Sequence, residues 1–327
     1  MDDTAALQRL EAALREQRID GLPRVERNEI LTHHVGLHIE SDRAFGISLR
    51  QCGWTTIPDA LWELPNLRVL ALGEDHLTGV SARLGDLTRL FKLYLYNSDV
   101  TELPTAIGNL IRLYILDLGH NKLQTVPETL ANLTALTFLY LTDNQLSELP
   151  ERLFAAMKAL IYLNVGDNQL TALPESVEHL ENLHELRLDN NKVMALPESI
   201  DKLGSLKELH ARNNQLMTLP DAIGELNSLR RLYLQSNQLS TLPDAIGGLK
   251  QLTELDLRNN QLTALPETIG ELKNLVYLDL RGNRLTELPS SIGKLMKLEK
   301  LDVRWNPLSS VEGWSLELQA RGCSVFV

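Results

Sequence analysis

Three groups of side chains return at fixed intervals in this 327-residue sequence, and each implies a different chemistry. Near the C-terminus, Asp256, Asp279 and Asp302 each stand two residues before Arg258, Arg281 and Arg304. Guanidinium forks so spaced can hold carboxylates or phosphates of a partner; set against neighbouring aspartates, they instead form a self-neutralised lattice. Upstream the chemistry is aromatic. Six of the seven tyrosines, Tyr114 excepted, fall at positions that recur with a fixed phase. Tyrosine supplies contact area at small entropic cost and is enriched in binding surfaces. The third group is His33, His34 and His38. Two of these, His34 and His38, would sit one turn apart on a helix and could share a metal ion, but no third ligand type stands nearby at suitable spacing. A solvated helix face is expected there, and no metal site is assigned. Phosphate-loop, H-E-x-x-H and G-x-S-x-G motifs are all missing from the sequence. The expectation is therefore a chain without catalytic residues or cofactors, and not an enzyme.

The phase of these groups is set by asparagine. Asn121, Asn144, Asn168, Asn191, Asn214, Asn237, Asn260, Asn283 and Asn306 follow one another at 23-residue steps, with a single step of 24. Ser98, Asp75 and Cys52 extend the beat upstream and bring the number of units to twelve. In the unit Leu252–Leu265, Leu255 and Leu257 alternate with Glu254, Asp256 and Arg258. Period-two alternation predicts a strand with one buried face. One such strand cannot bury its leucines alone, whereas parallel stacking makes a continuous core. The turn after each strand leaves backbone groups facing inward, and an asparagine amide offers an acceptor and two donors to satisfy them. Cysteine, aspartate and serine do this less well, so the N-terminal units should be less tightly fixed. Proline follows in ten of the twelve units, with Ser81 and Glu312 as the exceptions. It breaks any helix at the residue before it, and a short helical turn such as Ile269–Leu272 should follow on the outer side. The 24-residue unit carries its extra residue in that outer segment, where Phe154 is expected to fill the added space.

The phrase L-x-x-L-x-L-x-x-N-x-L-x-x-L-P, continued as Leu219-Pro220-Asp221-Ala222-Ile223-Gly224-Glu225-Leu226, resembles the 23-residue intracellular subclass of leucine-rich-repeat proteins. Ras-suppressor-like scaffolds, a plant intracellular group and bacterial Roc-associated proteins share this form. The resemblance covers about four-fifths of the chain and implies an α/β fold. That fold is a right-handed leucine-rich-repeat solenoid, a curved horseshoe with a parallel inner β-sheet, about 12 repeats and a helical N-terminal cap. The expected domains are 1–44 as cap, 45–311 as repeat array and 312–327 as C-terminal cap. Leu7, Leu10 and Leu14 have helical spacing within Thr4–Gln17, with Asp3 or Thr4 as N-cap. A second helical segment is expected near Val25–His34. Trp314, Leu316 and Leu318, with Ser324–Val327, should give a helix and a closing strand.

A net charge of −11 argues against nucleic-acid or anionic-membrane partners. No apolar stretch is long enough to span a bilayer, and residues 1–20 lack a signal core. Two cysteines, Cys52 and Cys323, far apart along the array, predict no disulfide and a cytoplasmic setting. The positions six, four and two before each ladder residue face away from the leucine core. They yield the candidate partner-binding residues Tyr94, Tyr96, Phe138, Tyr140 and Tyr162, then Arg187, His210, Arg212, Tyr233, Arg258, Tyr277, Arg281 and Arg304, with Trp305 as an end anchor. The expected function is a monomeric protein-interaction scaffold that binds through its concave face. The resemblance implies a small GTPase or signalling enzyme as the partner. Two alternatives are a substrate-recognition or regulatory part of an enzyme system, such as a bacterial effector or GTPase-linked protein whose catalytic module lies elsewhere, and a structural array with no specific partner.

Overall fold

Leucine at alternate strand positions forces each repeat to lay a short strand against its neighbour. A computed structural model describes residues 3–311 and 313–327; Met1, Asp2 and Glu312, the last in the twelfth unit's proline slot, lie outside the described residues. The chain forms two compact units, Met1–Leu160 and Ile161–Val327.

The first unit opens with helix α1 (Thr4–Glu16), which buries Leu10 and Leu14 completely. Asp3 occupies the N-cap position but makes no capping bond. Its carboxylate instead accepts a hydrogen bond from the Ala44 amide at 2.8 Å and pins the helix to the sheet. The expected second helix near Val25–His34 is not formed. That segment makes two tight turns, closed by Glu29 N to Glu26 O and Thr32 N to Glu29 O. The chain then enters a hairpin of β1 (Val35–Glu40) and β2 (Arg43–Arg50). Small residues decide this: a side chain at Gly36 would press on Val25, and one at Gly46 on Ile30. His38 therefore lies on a strand, bonded to Val25 O and Glu40, and does not share a helix face with His34. From β2 onward the strands are parallel and in register: β3 (Val69–Gly73), β4 (Lys92–Tyr96), β5 (Ile115–Asp117) and β6 (Phe138–Tyr140).

The second unit repeats the pattern in β7 (Tyr162–Asn164), β8 (Glu185–Arg187), β9 (Glu208–His210), β10 (Arg231–Tyr233), β11 (Glu254–Asp256), β12 (Tyr277–Asp279) and β13 (Lys300–Asp302). Helix α2 (Trp314–Ala320) and strand β14 (Ser324–Phe326) complete it, β14 pairing with β13 as expected of a closing strand.

Within each unit most return segments are 3₁₀ turns led by proline; Ser81 leads that of Ala82–Asp86, and residues 151–156 form turns instead. After Pro266, Ile269 N donates to Pro266 O and Leu272 N to Ile269 O, the short ring closure of that helix type. Glycine follows the buried isoleucine because neighbouring turns touch: a Cβ on Gly270 would meet Ser291 at 2.5 Å. Phe154, in the longer unit, is fully buried with Met157, filling the added space as expected.

The asparagine amides form the ladder anticipated from sequence. Asn214 Nδ2 donates to Leu188 O of the preceding repeat at 3.0 Å and to Ala211 O and Arg212 O of its own. Its Oδ1 accepts from Val193 N at 3.0 Å. Upstream the ladder thins. Asp75 accepts from Gly53 N through one oxygen, but its other oxygen and the Ser98 hydroxyl are buried with no hydrogen-bond partner among the described residues. In the same slot, the Cys52 thiol donates to the Arg50 carbonyl, and burial followed by the nearby Asp75 pushes it up to about 12.

Candidate functional site

Strand registers place the candidate residues in columns. In the first unit, Lys92 stands beside Ile115 and then Phe138, while Tyr94, Asp117 and Tyr140 form the next column. Tyr94 and Tyr140 thus flank Asp117. All three side chains are half-buried. Burial, with Asp117 adding to it, pushes the Tyr94 hydroxyl up to about 12, so it is a neutral donor at any physiological pH. Burial also raises the Asp117 carboxyl above its ordinary range, opposed by the Gly119 amide that it accepts from at 3.1 Å. Tyr96 takes a different role. Its hydroxyl accepts from Arg50 Nη1 at 2.6 Å and donates to Glu74 Oε1 at 3.0 Å, inside a network that ties β4 to β2. The fit is close because Gly73, at φ +128°, runs against the Tyr96 backbone.

In the second unit, one column reads Tyr162, Glu185, Glu208, Arg231, Glu254, Tyr277, Lys300, and its neighbour Asn164, Arg187, His210, Tyr233, Asp256, Asp279, Asp302. Charges here are consumed internally. Arg231 joins Glu208 at 2.6 Å to Glu254 at 3.2 Å, and Tyr233 donates to Glu254 at 2.6 Å. His210 lies 4.7 Å from the Tyr233 ring and 3.2 Å from Glu208. Glu185, Glu208 and His210 bring ligand atoms within 4.8 Å of one another, but Arg187 holds Glu185 and Arg231 holds Glu208, so the trio is part of an ion-pair cluster.

Sequence left two readings for the Asp and Arg columns, and the geometry decides between them. Arg258, Arg281 and Arg304 each fork onto the aspartate two residues earlier, with an Nη2–Oδ2 distance of 2.7 Å in all three. Cross-links run along the stack from Arg258 to Asp279 at 3.6 Å and from Arg281 to Asp302 at 3.4 Å. The lattice is self-neutralised. Trp305 stands at its end, 71% exposed, with the guanidinium groups of Arg281 and Arg304 at 6.0 and 5.7 Å from its ring.

One recurring feature escaped the sequence reading. The residue before the ladder position adopts the left-handed backbone conformation in every repeat through Trp305, at φ +62°. Asn97, Asp143, Asp167, Asn190, Asn213, Asn259 and Gly282 are residue types that favour it, and they carried the available signal. Trp305 does not favour it.

A family model described as a leucine-rich repeat region matches residues 47–164, 153–256 and 243–312. The chain belongs to the leucine-rich-repeat family. Among solved structures, this leucine-rich-repeat chain is similar to a leucine-rich-repeat protein of Leptospira interrogans, at 31% identity over 84% of this chain and 82% of that one, with a TM-score of 0.61. It is also similar to a structure of the Drosophila Toll–Spätzle complex, at 26% identity, 81% and 38% coverage and a TM-score of 0.75. A third likeness is to an octameric complex of latrophilin 3, Unc5D and the FLRT2 leucine-rich repeat, at 25% identity, 86% and 89% coverage and a TM-score of 0.69. A search of curated proteins returned no match. Among the described residues, no helix is long and apolar enough to cross a membrane.

Proposed function

We propose that this chain is a non-catalytic protein-recognition module that docks a protein partner on the solvent-facing side of its strands. The observation that carries this reading is the column Tyr94–Asp117–Tyr140: two half-exposed aromatics around one carboxylate on a rigid parallel sheet. Aromatic anchors beside a polar group are the composition of interface centres. Complexes such as Toll with Spätzle show that neighbours of this fold engage proteins. The resemblance favours a small GTPase or a signalling enzyme as the partner. Free, buried thiols at Cys52 and Cys323 fit a cytoplasmic monomer.

Affinity capture from native lysate, comparing wild type with a Tyr94→Ala/Tyr140→Ala variant, tests the reading. Loss of a specific protein from the variant's eluate is expected, with the melting curve retained. Equal recovery by both would remove the tyrosine column from the interface. In the second unit, Trp305 merits a separate arm, because a large exposed aromatic is held in a backbone conformation that costs about 1–3 kcal/mol.

A further inference from the structure

A cavity of 520 Å³ lies in the first unit, between the turn after Arg27, the β1–β2 hairpin and the chain entering β3 and β4. One wall is apolar. Ile30 and Phe45 form its floor, and Phe91 and Leu31 are 42% and 36% exposed at its mouth. Phe91 is held in place by stacking on Tyr114, 4.9 Å between ring centres. The other wall is cationic: Arg27, Arg68, Arg89, Lys92 and Arg112 all line it. Among the described residues, none of these five makes an ion pair. Arg89 donates to the Asn66 amide oxygen at 2.8 Å, and Arg68 lies 4.7 Å from the centre of the Phe45 ring. The single carboxylate in the lining, Glu40, is 3.1 Å from His38.

This arrangement runs against the overall charge and against the arginine rows of the second unit. The chain carries a net charge of −11, and in the second unit Arg212, Arg231, Arg258, Arg281 and Arg304 all face a carboxylate. Five like charges around one cavity repel one another, and a bound anion relieves that. Arg89 and Arg112 occupy the same position in successive repeats, so they stand about one strand spacing, ~4.8 Å, apart along the stack. A row of cations beside an apolar wall fits several carboxylates on an extended chain with a bulky apolar side chain among them. A compact phosphate would meet only part of the row. An anionic membrane would be repelled by the remainder of the surface.

We propose that this cavity receives an acidic segment of a partner polypeptide. Its carboxylates pair with Arg68, Arg89 and Arg112, and its apolar side chain seats between Phe45 and Phe91. Guanidinium groups suit this role because their donors match a carboxylate two at a time. The site does not depend on the tyrosine column being a docking surface.

The test is fluorescence anisotropy of the full chain with fluorescein-labelled octapeptides of Asp and Glu bearing one Phe or Leu at each position in turn. Counterpart peptides of Asn and Gln serve as controls. Saturable binding by acidic members is expected, weakened at least about tenfold by Arg89→Glu/Arg112→Glu. Phe91→Ala should weaken it less, and raising NaCl from about 0.05 to about 0.3 M should weaken it for wild type. Circular dichroism checks the fold of each variant; should the reversal unfold, Arg89→Gln/Arg112→Gln takes its place. The proposal is overturned if acidic and amide peptides bind alike, if no peptide saturates, or if the charge variants bind as wild type does. It is also overturned if inorganic phosphate displaces the peptide at equal concentration, or if the chain co-sediments with phosphatidylserine vesicles while ignoring the peptides.

Discussion

Arg281 grips Asp279 through Nε–Oδ1 and Nη2–Oδ2 hydrogen bonds of 2.9 and 2.7 Å, and its Nε also faces Asp302 of the next strand at 3.4 Å. Both carboxylates are almost wholly shielded from solvent. Removing this guanidinium would leave two neighbouring buried anions with one cation fewer. Arg281→Ala should therefore cost about 1–3 kcal/mol in urea denaturation at pH 7. Arg304→Ala and Arg258→Ala should cost less, since those side chains are more exposed.

Acid should loosen the same lattice. Burial raises the Asp302 carboxyl, but hydrogen bonds from Arg304, followed by the charges of Arg281 and Arg304, bring it below the ordinary value. A depressed folded-state pKa gives stability that is complete above the unfolded value near 3.9 and is lost as pH falls through the folded one. The stability difference between wild type and Asp302→Asn should thus shrink below about pH 4. Denaturation midpoints from pH 7 to 2.5 would measure this.

Asp117 should behave in the opposite sense. Burial raises its pKa, outweighing the Gly119 amide and the charge of His120, so its charged form is a burden at neutral pH. Asp117→Asn keeps the oxygen that accepts from Gly119 and should stabilise the protein at pH 7. That advantage should fade as pH falls through the raised folded pKa and be gone below about pH 4, where the aspartate is protonated in both states. A constant advantage at every pH would contradict the assignment.

Ladder completion gives a gain, and ladder loss a cost. Asn214→Ala leaves backbone groups of two repeats unpaired and should cost about 1–3 kcal/mol. Ser98→Asn supplies the amide that the third unit lacks and should raise the urea midpoint. Hydrogen exchange of residues 69–100 should slow in that variant.

Trp305→Asn places a tolerant residue at φ +62° and should stabilise the second unit by about 1 kcal/mol. A thermal melt would check it. Lower stability would mean that the indole's contacts with Arg281 and Arg304 outweigh the backbone strain.

The periodic parts of this molecule could be read directly from the chain. Leu255 and Leu257 announce a buried strand face, Asn260 the turn after it, and their phase tells which way Asp256 and Arg258 point. Aperiodic parts could not be read this way. Val25–His34 reads as a helical segment, but Gly36 and Gly46 let a hairpin close over Val25 and Ile30, a contact set by residues outside the segment. The cationic cavity is hidden for the same reason. Arg27 comes from the cap, whereas Arg68, Arg89 and Arg112 come from three different repeats, and only their folded proximity makes them a group. Nor did spacing reveal that the Arg258, Arg281 and Arg304 forks are already occupied, because an arginine two residues from an aspartate can equally point outward.

Asn260 reaches one partner 26 residues back, Leu234, and takes a bond from another 21 back, Leu239, and Asn214, Asn283 and Asn306 repeat both steps. Such closures never span more than about one repeat. A tandem duplication of the coding sequence for whole units would therefore hand the growing stack ready-made rungs, whereas one that ends part-way through a strand or its turn would leave an amide facing the wrong carbonyl. The gene can lengthen this protein in quanta, and the Phe154 unit shows where a single stray residue is absorbed: in the outer segment, away from the rungs.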